Sequence, residues 1–122
     1  MTFEAIRKIA IALEGVEETT SYGTPAFKVN GVMIARLRDD IGALVVRMRI
    51  EDREALIAED SGTYFVIDHY LDYPYILVNL AKVHPDAMRD LLGGAWKLAG
   101  DEAKARGTRR KPRAGDRKSR RP

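Results

Sequence analysis

The first fifteen residues carry apolar positions at a helical period. Apolar side chains recur three or four positions apart, at Phe3, Ile6, Ala10 and Leu13. That spacing places them on one face of a helix. Thr2 can cap the start of this helix and Gly15 can end it. The pattern predicts a helix over about residues 3–14.

Residues 16–50 carry a different pattern, in which short apolar and β-branched runs are separated by turn signals. The turn signals are Tyr22-Gly23-Thr24-Pro25, Asn30-Gly31 and Asp39-Asp40. Asn-Gly between apolar runs is a strong signal for a tight β-hairpin. We therefore predict three consecutive antiparallel strands over about 25–29, 32–38 and 43–50, and a further short strand over 16–20.

The second half of the chain predicts two helices that flank a pair of strands. The helices are expected over 51–60 and 85–105, and the strands over 64–67 and 75–80. Gly93 and Gly94 lie inside the last helix, which indicates either another backbone packed closely there or a bend.

The order of these elements determines the fold class. The order is helix, three to four strands, helix, two strands and a long C-terminal helix. Hairpins dominate, and no strand–helix–strand repeat occurs. We therefore predict an α+β fold of two layers, in which the helices pack on an antiparallel β-sheet.

The formal net charge of +3 conceals two oppositely charged parts. Residues 1–105 contain 12 Arg or Lys and 17 Asp or Glu, a net charge of −5, whereas residues 106–122 contain nine and one, a net charge of +8. We predict a single domain over 1–105 and a disordered basic tail over 106–122, since a charged segment without apolar periodicity cannot form a core. The tail residues expected to contact nucleic acid are Arg109, Arg110, Lys111, Arg113, Arg117, Lys118, Arg120 and Arg121. The alternative is that the tail only improves solubility.

Cysteine is absent, and the sequence contains no long apolar run. These features exclude disulfides, thiolate chemistry and cysteine-built zinc sites. They also predict a cytoplasmic protein that does not enter a membrane.

Several separate stretches together resemble the MmcQ/YjbR family. They are Ser21 to Gly31 (SYGTPAFKVNG), Ala35-Arg36-Leu37, Tyr64-Phe65, Asp68-His69-Tyr70, the strand Ile76 to Leu80 and the helix containing Ala95-Trp96. The resemblance covers about residues 3–100 and departs from the usual pattern at Val32 and Tyr75. It implies a small bacterial α+β domain, CyaY-like or similar to type III secretion chaperones, of a kind commonly labelled DNA-binding. It implies no catalytic residues.

Four arginines in the predicted strands are the candidate phosphate-binding residues of the body. These sheet arginines are Arg36, Arg38, Arg47 and Arg49. Each pair alternates with apolar residues, so each pair shares one face of its strand. Guanidinium groups clustered without equal numbers of acids could bind phosphates. The alternative is the ordinary solvated side of a half-buried sheet.

The face that carries these arginines depends on the hairpin at Asn30-Gly31. A strict two-residue loop pairs Val29 with Val32 and places the first two sheet arginines on the face of Phe27. A three-residue loop places Ala35 and Leu37 there instead. We favour the three-residue loop because it leaves the arginines in water.

The segment Asp68-His69-Tyr70, together with Lys28, is a candidate ligand loop or structural loop. His69 beside carboxylates could act as a general base or metal ligand. No nucleophile or further ligands lie at a suitable spacing, and the remaining histidine, His84, is placed to cap the last helix. A hydrogen bond that holds the loop to the sheet is the favoured interpretation.

Two further groups of residues are interpreted as structural. The aromatic residues Tyr64, Phe65, Tyr70, Tyr73 and Tyr75 could stack on bases, but they are expected mainly in the core. Glu14, Glu17 and Glu18 are expected to be a solvated surface and not a metal site.

The sequence therefore predicts a monomeric, non-enzymatic protein without catalytic residues, metal or cofactor. Its expected partner is DNA, bound largely through phosphates and without sequence preference. The alternative is a chaperone-like adaptor with a protein partner.

Overall fold

The computed structural model describes the backbone of residues 1–110 and the side chains of residues 1–105. The helices are α1 (Phe3–Ile11), α2 (Ile50–Glu59) and α3 (Pro85–Arg110), and the strands are β1 (Glu17–Ser21), β2 (Thr24–Val29), β3 (Val32–Arg38), β4 (Ala43–Arg47), β5 (Tyr64–Phe65) and β6 (Tyr75–Asn79). The Thr2 hydroxyl accepts from Ala5 N, which confirms it as the cap of α1. Within this part of the chain no helix is long and apolar enough to cross a membrane.

The six strands form one antiparallel sheet in the order β1-β2-β3-β4-β6-β5. Its inner face packs against α1 and α3, which confirms the two-layer α+β prediction. Phe27 from β2 and Leu44 from β4 are buried in this core, against Ile6 of α1 and Leu92 of α3. The apolar stripe of α3 lies on the sheet as its helical period predicts.

The hairpin between β2 and β3 combines a tight turn with a β-bulge. Val29 pairs with Val32 across a two-residue turn, so the predicted three-residue loop is wrong. Further along the hairpin Lys28 pairs with Met33 but Phe27 pairs with Ala35, so β3 contains one extra residue. Beyond the bulge, each side chain of β3 lies on the opposite face of the sheet from the one that a regular hairpin would give it. Ala35 and Leu37 therefore share the inner face with Phe27, as predicted, although the loop is shorter than predicted.

The outer face of the sheet is partly covered by the segment 66–75. Ala43 and Val45 of β4 and Leu77 of β6 are fully buried there, under Tyr70. This small second core means that the outer face is not the open, solvated surface that the sequence predicts. The five aromatic residues considered as base-stacking candidates contribute to both cores, except Tyr73, which is 58% exposed. They are Tyr64, Phe65, Tyr70, Tyr73 and Tyr75.

One buried arginine of α2 holds the segment 66–75 in place. Arg53 is 1% exposed. Its Nη2 donates to the carbonyl oxygen of Leu71 at 2.9 Å, and its Nη1 lies 3.0–3.2 Å from the carbonyl oxygens of Tyr70, Tyr73 and Tyr75. A guanidinium group suits this position because its planar fork offers several donors at fixed angles.

Some element ends differ from the prediction. Strand β4 stops at Arg47, because the chain leaves the sheet there to begin α2 at Ile50. Helix α3 continues to Arg110, so residues 106–110, assigned to the tail by the sequence, are helical. A methyl group added to Gly93 or Gly94 would contact no atom within 4 Å. The close backbone packing considered for these glycines is therefore absent.

Candidate functional site

Arg36 joins three segments of the chain that are far apart in sequence. Its Nε lies 3.2 Å from the carbonyl oxygen of Ser21 and 3.0 Å from the hydroxyl oxygen of Thr24. Its Nη1 lies 2.8 Å from the phenol oxygen of Tyr70. The guanidinium carbon is 5.0 Å from the centre of the Tyr22 ring. These contacts fix the guanidinium group between the β1–β2 turn and the segment 66–75.

The partners of Arg36 are all neutral. Within residues 1–105 this arginine forms no ion pair with a carboxylate, and its Nη2 donates no hydrogen bond to protein. The site therefore holds a positive charge in a defined orientation and leaves one edge of the guanidinium group available to an anion.

Arg38 lies two residues further along the same face and is paired with an acid. Its Nε and Nη2 donate to the two carboxylate oxygens of Asp40 at 2.9 and 2.8 Å. These bonds, followed by the nearby phenol of Tyr70, raise the pKa of the Arg38 guanidinium. The same bonds hold the pKa of the Asp40 carboxyl below its usual value, and the charge of Arg36 adds to this effect. The hydrogen bonds to Asp40 thus come from Arg38, and no carboxylate within residues 1–105 is hydrogen-bonded to Arg36.

The four residues Tyr22, Arg36, Arg38 and Tyr70 form what we call the outer-face cluster. Tyr70 is 5% exposed and gives the cluster a rigid floor, whereas Tyr22 is 89% exposed at its edge. The remaining sheet arginines lie outside the cluster, near the start of α2.

Arg47 and Arg49 have different surroundings. Arg47 lies 3.2 Å from Glu102 of α3 and 3.2 Å from the Tyr75 hydroxyl, so its charge is balanced. Burial raises the pKa of the Tyr75 phenol, and the charge of Arg47 acts against that rise. Arg49 precedes the first residue of α2, is exposed, and forms no ion pair with residues 1–105. The predicted outer-face quartet is therefore divided: Arg38 and Arg47 form ion pairs, whereas Arg36 and Arg49 form none with residues 1–105.

Tyr22 occupies a strained backbone position. The turn Tyr22-Gly23 has φ angles of 54° and 78°, and the turn Asn30-Gly31 has nearly the same angles, 52° and 76°. Asn and Gly are the usual residues in such a turn because they tolerate positive φ. A bulky side chain there costs about 1 kcal/mol. The exposed Tyr22 ring recovers little of this cost by burial.

The predicted ligand loop is placed beside the cluster. Asp68 and His69 are exposed, and neither side chain donates or accepts a hydrogen bond within residues 1–105. His69 instead meets the edge of the Tyr70 ring, with 4.8 Å between ring centres. The loop is held as predicted by hydrogen bonds, which Arg36 donates to the Tyr70 hydroxyl and Arg53 donates to the carbonyl oxygens of Tyr70 and Leu71. Lys28 is exposed on β2 and faces the same side as Thr24.

The other candidate groups are placed as follows. His84 Nδ1 accepts from Asp86 N at 3.1 Å, which confirms its predicted capping role. Glu18 pairs with Arg7, and no group of three potential metal ligands occurs in the described residues. Lys111, Arg113, Arg117, Lys118, Arg120 and Arg121 lie outside the described residues, and for Arg109 and Arg110 only the helical backbone is described.

A groove of about 480 Å³ lies between α2 and α3. Its charged lining residues are Arg47, Arg49, Lys97, Asp52, Asp90 and Asp101. Three cations and three acids give this groove no net charge, so it offers no general attraction to an anion. The outer-face cluster is the better candidate for an anionic ligand.

Sequence reasoning missed Tyr22, a member of the outer-face cluster, and Arg53, which supports the segment that carries Tyr70. The sequence does not distinguish Arg53 from the exposed arginines, because nothing in the local sequence pattern of α2 indicates that a charged residue there is buried. Tyr22 did carry a signal. Two turns of the form X-Gly flank β2, and only the second has the residue that its backbone requires.

The fold and the site define a small α+β domain in which an antiparallel sheet carries helices on one face and a charged, aromatic cluster on the other. The YjbR family model matches residues 11–98, so the chain belongs to this family. The stretches that resemble the family, SYGTP, ARL and DHY, are those that meet at Arg36.

One solved structure supports the fold, and two curated proteins are similar in sequence over part of the chain. The crystal structure of Deinococcus radiodurans protein DR2400, described with the domain DUF419, superposes with a TM-score of 0.71 over 83% of this chain and 80% of that one, at 22% identity. The uncharacterized proteins Mb2600 of Mycobacterium bovis and Rv2570 of Mycobacterium tuberculosis are each 36% identical over 57 residues. That match covers 44% of this chain and 44% of each relative, so the chain aligns with less than half of their length.

Proposed function

We propose that this protein binds nucleic acid without catalysis, largely through phosphate contacts and with little sequence preference. The observation that carries the proposal is the environment of Arg36. A guanidinium group held by neutral oxygens keeps its full charge and a fixed orientation, which is what a phosphate oxygen requires. Arg36 differs from the structural Arg53, whose Nη1 and Nη2 both donate to carbonyl oxygens, because Arg36 Nη2 donates to no atom of residues 1–105.

The charge distribution supports the same function. The body carries −5 and residues 106–122 carry +8, so phosphate attraction depends on local cations. The C-terminal basic segment supplies general attraction, and Arg36, with Lys28 on the same face, supplies an oriented contact. Each phosphate contact displaces about one counterion, so binding should weaken steeply as salt increases.

The experiment is a measurement of DNA affinity against salt with the full chain. Arg36→Gln removes the charge but keeps a polar side chain. We expect it to lower affinity several-fold and to reduce the slope of log affinity against log salt by about 0.7–0.9, the change for one lost contact. Arg89→Gln is the matched control, because Arg89 is an exposed arginine of α3 that is paired with Asp86.

The comparison of these two variants decides the proposal. Both lose one positive charge, so a general charge effect would lower affinity equally. A selective loss in Arg36→Gln supports an oriented contact in the outer-face cluster. Equal losses, or no loss, would remove the cluster from the proposed function.

A protein-interaction role is the second candidate, and one observation favours it. Strand β1 is one edge of the sheet and pairs only with β2 among the described residues. An open edge can accept a further strand from a partner. Protection of the β1 amide protons from hydrogen exchange on addition of a partner protein, and not of DNA, would favour this role.

A further inference from the structure

We propose that Tyr22 is a stacking platform for an unpaired base, so that the protein prefers single-stranded nucleic acid to duplex. This inference rests on the proposed function and specifies its ligand. It is carried by an independent observation, the strained and exposed position of the Tyr22 ring.

The turn Asn30-Gly31 can be compared directly with the turn that contains Tyr22. Two tight turns flank β2, and their φ angles agree within 2° at both central residues. Asn30 satisfies the backbone requirement of its turn, whereas Tyr22 does not. An aromatic side chain in this conformation needs a compensating gain, and burial does not supply one because the residue is 89% exposed.

The contact that Tyr22 does make indicates the kind of ligand. The guanidinium carbon of Arg36 lies 5.0 Å from the ring centre, on one face. An interaction of this type is weak at an exposed site. With Arg36 on one face, the remaining exposed surface of the ring is available to another planar group.

A nucleotide provides both groups that this arrangement can bind. Its base can stack on the exposed ring of Tyr22, and its phosphate can accept from the free edge of Arg36. The bases of a duplex are already stacked on each other, so only an unpaired base can use the ring. Stacking depends little on base identity, which agrees with the weak sequence preference proposed above.

The charge of the basic segment would add a general attraction for a strand longer than one nucleotide. A net charge of +8 lies in residues 106–122, against −5 in the rest of the chain. Single-strand binders combine such charges with aromatic platforms. The outer-face cluster supplies the platform and the C-terminal segment supplies the charge.

The test uses the full chain and three fluorescently labelled ligands of about 15 nucleotides. The ligands are oligothymidylate, an abasic strand of equal length, and a duplex. The variants are Tyr22→Asn, which suits the turn, Tyr22→Trp, which keeps an aromatic ring, and Tyr73→Asn. Tyr73 is the matched control because it is 58% exposed and has no arginine over its ring within the described residues.

We expect oligothymidylate to bind more tightly than the abasic strand or the duplex. Tyr22→Asn should lower oligothymidylate affinity about tenfold and leave abasic affinity unchanged. Tyr22→Trp should retain the preference, and Tyr73→Asn should change affinity less than about twofold. Tyr22→Asn should also unfold at an equal or higher temperature, so that lost binding cannot be attributed to lost folding.

Three results would overturn the inference. If Tyr22→Asn binds oligothymidylate as the unaltered chain does, while Arg36→Gln loses affinity, stacking is refuted and phosphate binding by the cluster stands. If duplex binds as tightly as oligothymidylate, the single-strand preference is refuted. If the unaltered chain binds none of the three ligands, the proposed function and this inference fail together.

Discussion

Removal of the Arg53 side chain should lower the free energy of unfolding more than substitution of any exposed residue does. In Arg53→Ala, the carbonyl oxygens of Tyr70, Leu71, Tyr73 and Tyr75 would lose their shared donor. Each hydrogen bond to a charged group is worth about 1.5–3 kcal/mol. The sum overstates the effect, because Nη1 divides two protons among three acceptors and burial of the charge itself is unfavourable.

We therefore expect Arg53→Ala to lower the free energy of unfolding by about 3–5 kcal/mol. Arg53→Lys should lower it by about 2–3 kcal/mol, because an ammonium group has three donors but lacks the planar fork. Nucleic-acid binding should weaken as well. Arg53 holds the backbone around Tyr70, and the Tyr70 hydroxyl contacts Arg36.

The assay is urea denaturation followed by circular dichroism at neutral pH. Glu54→Ala is the matched control on the same helix, because Glu54 is 62% exposed and lies 3.4 Å from Arg53 Nε. Because the Glu54 carboxylate is mostly exposed, its contact with Arg53 should contribute about 0.5 kcal/mol or less. A loss below about 1 kcal/mol in Arg53→Ala, with an unchanged m-value, would refute the view that Arg53 anchors the segment.

Three further substitutions test individual features of the structure. Gly94→Ala should raise the free energy of unfolding by about 1 kcal/mol in thermal melts, because an added methyl group meets no atom within 4 Å in a helix interior; a loss would show hidden crowding. Trp96→Phe should lower the free energy of unfolding by about 1 kcal/mol or more in urea titrations, because Nε1 donates to Glu14 O at 2.7 Å; no change would show that this bond is not formed. The Thr63 hydroxyl lowers the pKa of the Asp60 carboxyl below its ordinary value of 3.8, so Thr63→Val should raise that pKa in a carbon-13 NMR titration. Because the folded pKa is the lower one, the stability linked to Asp60 is present above pH 3.8 and is lost as pH falls through the folded value; an unchanged pKa in Thr63→Val would contradict this coupling.

The helices and most strands could be predicted because each has a local cause. A helical period places Met88, Leu92 and Ala99 on one face of α3, and all three are fully buried. Asn30-Gly31 indicates a tight hairpin because Asn and Gly tolerate the two consecutive positive φ angles that such a turn requires.

The β-bulge could not be predicted, because its cause lies in the fit of two faces. The two-residue turn alone would place Arg36 on the inner face. The single extra residue in β3 returns Arg36 to the outer face, and no local motif marks it. The prediction that Ala35 and Leu37 lie on the inner face is correct, although the predicted loop length is wrong. It is correct because it rests on the high free-energy cost of burying a guanidinium group.

The position of segment 66–75 over the outer face of the sheet could also not be predicted from the sequence. Segment 66–75 contains no periodic pattern, and its position depends on carbonyl groups that bind Arg53. Backbone acceptors are the same at every residue, so sequence does not identify them. The convergence of Ser21, Thr24 and Tyr70 on Arg36 therefore became visible only in the structure.

The measurement that tests the central claim most directly separates the body from the basic segment. Six residues of the segment, Lys111, Arg113, Arg117, Lys118, Arg120 and Arg121, would be changed to Gln in the full chain. Oligonucleotide affinity would then be measured with and without Arg36→Gln at low salt. We predict that the neutralised chain still binds, more weakly, and that Arg36→Gln abolishes the remainder. If all binding disappears with the six substitutions, or if Arg36→Gln has no further effect, the outer-face cluster is not a nucleic-acid site.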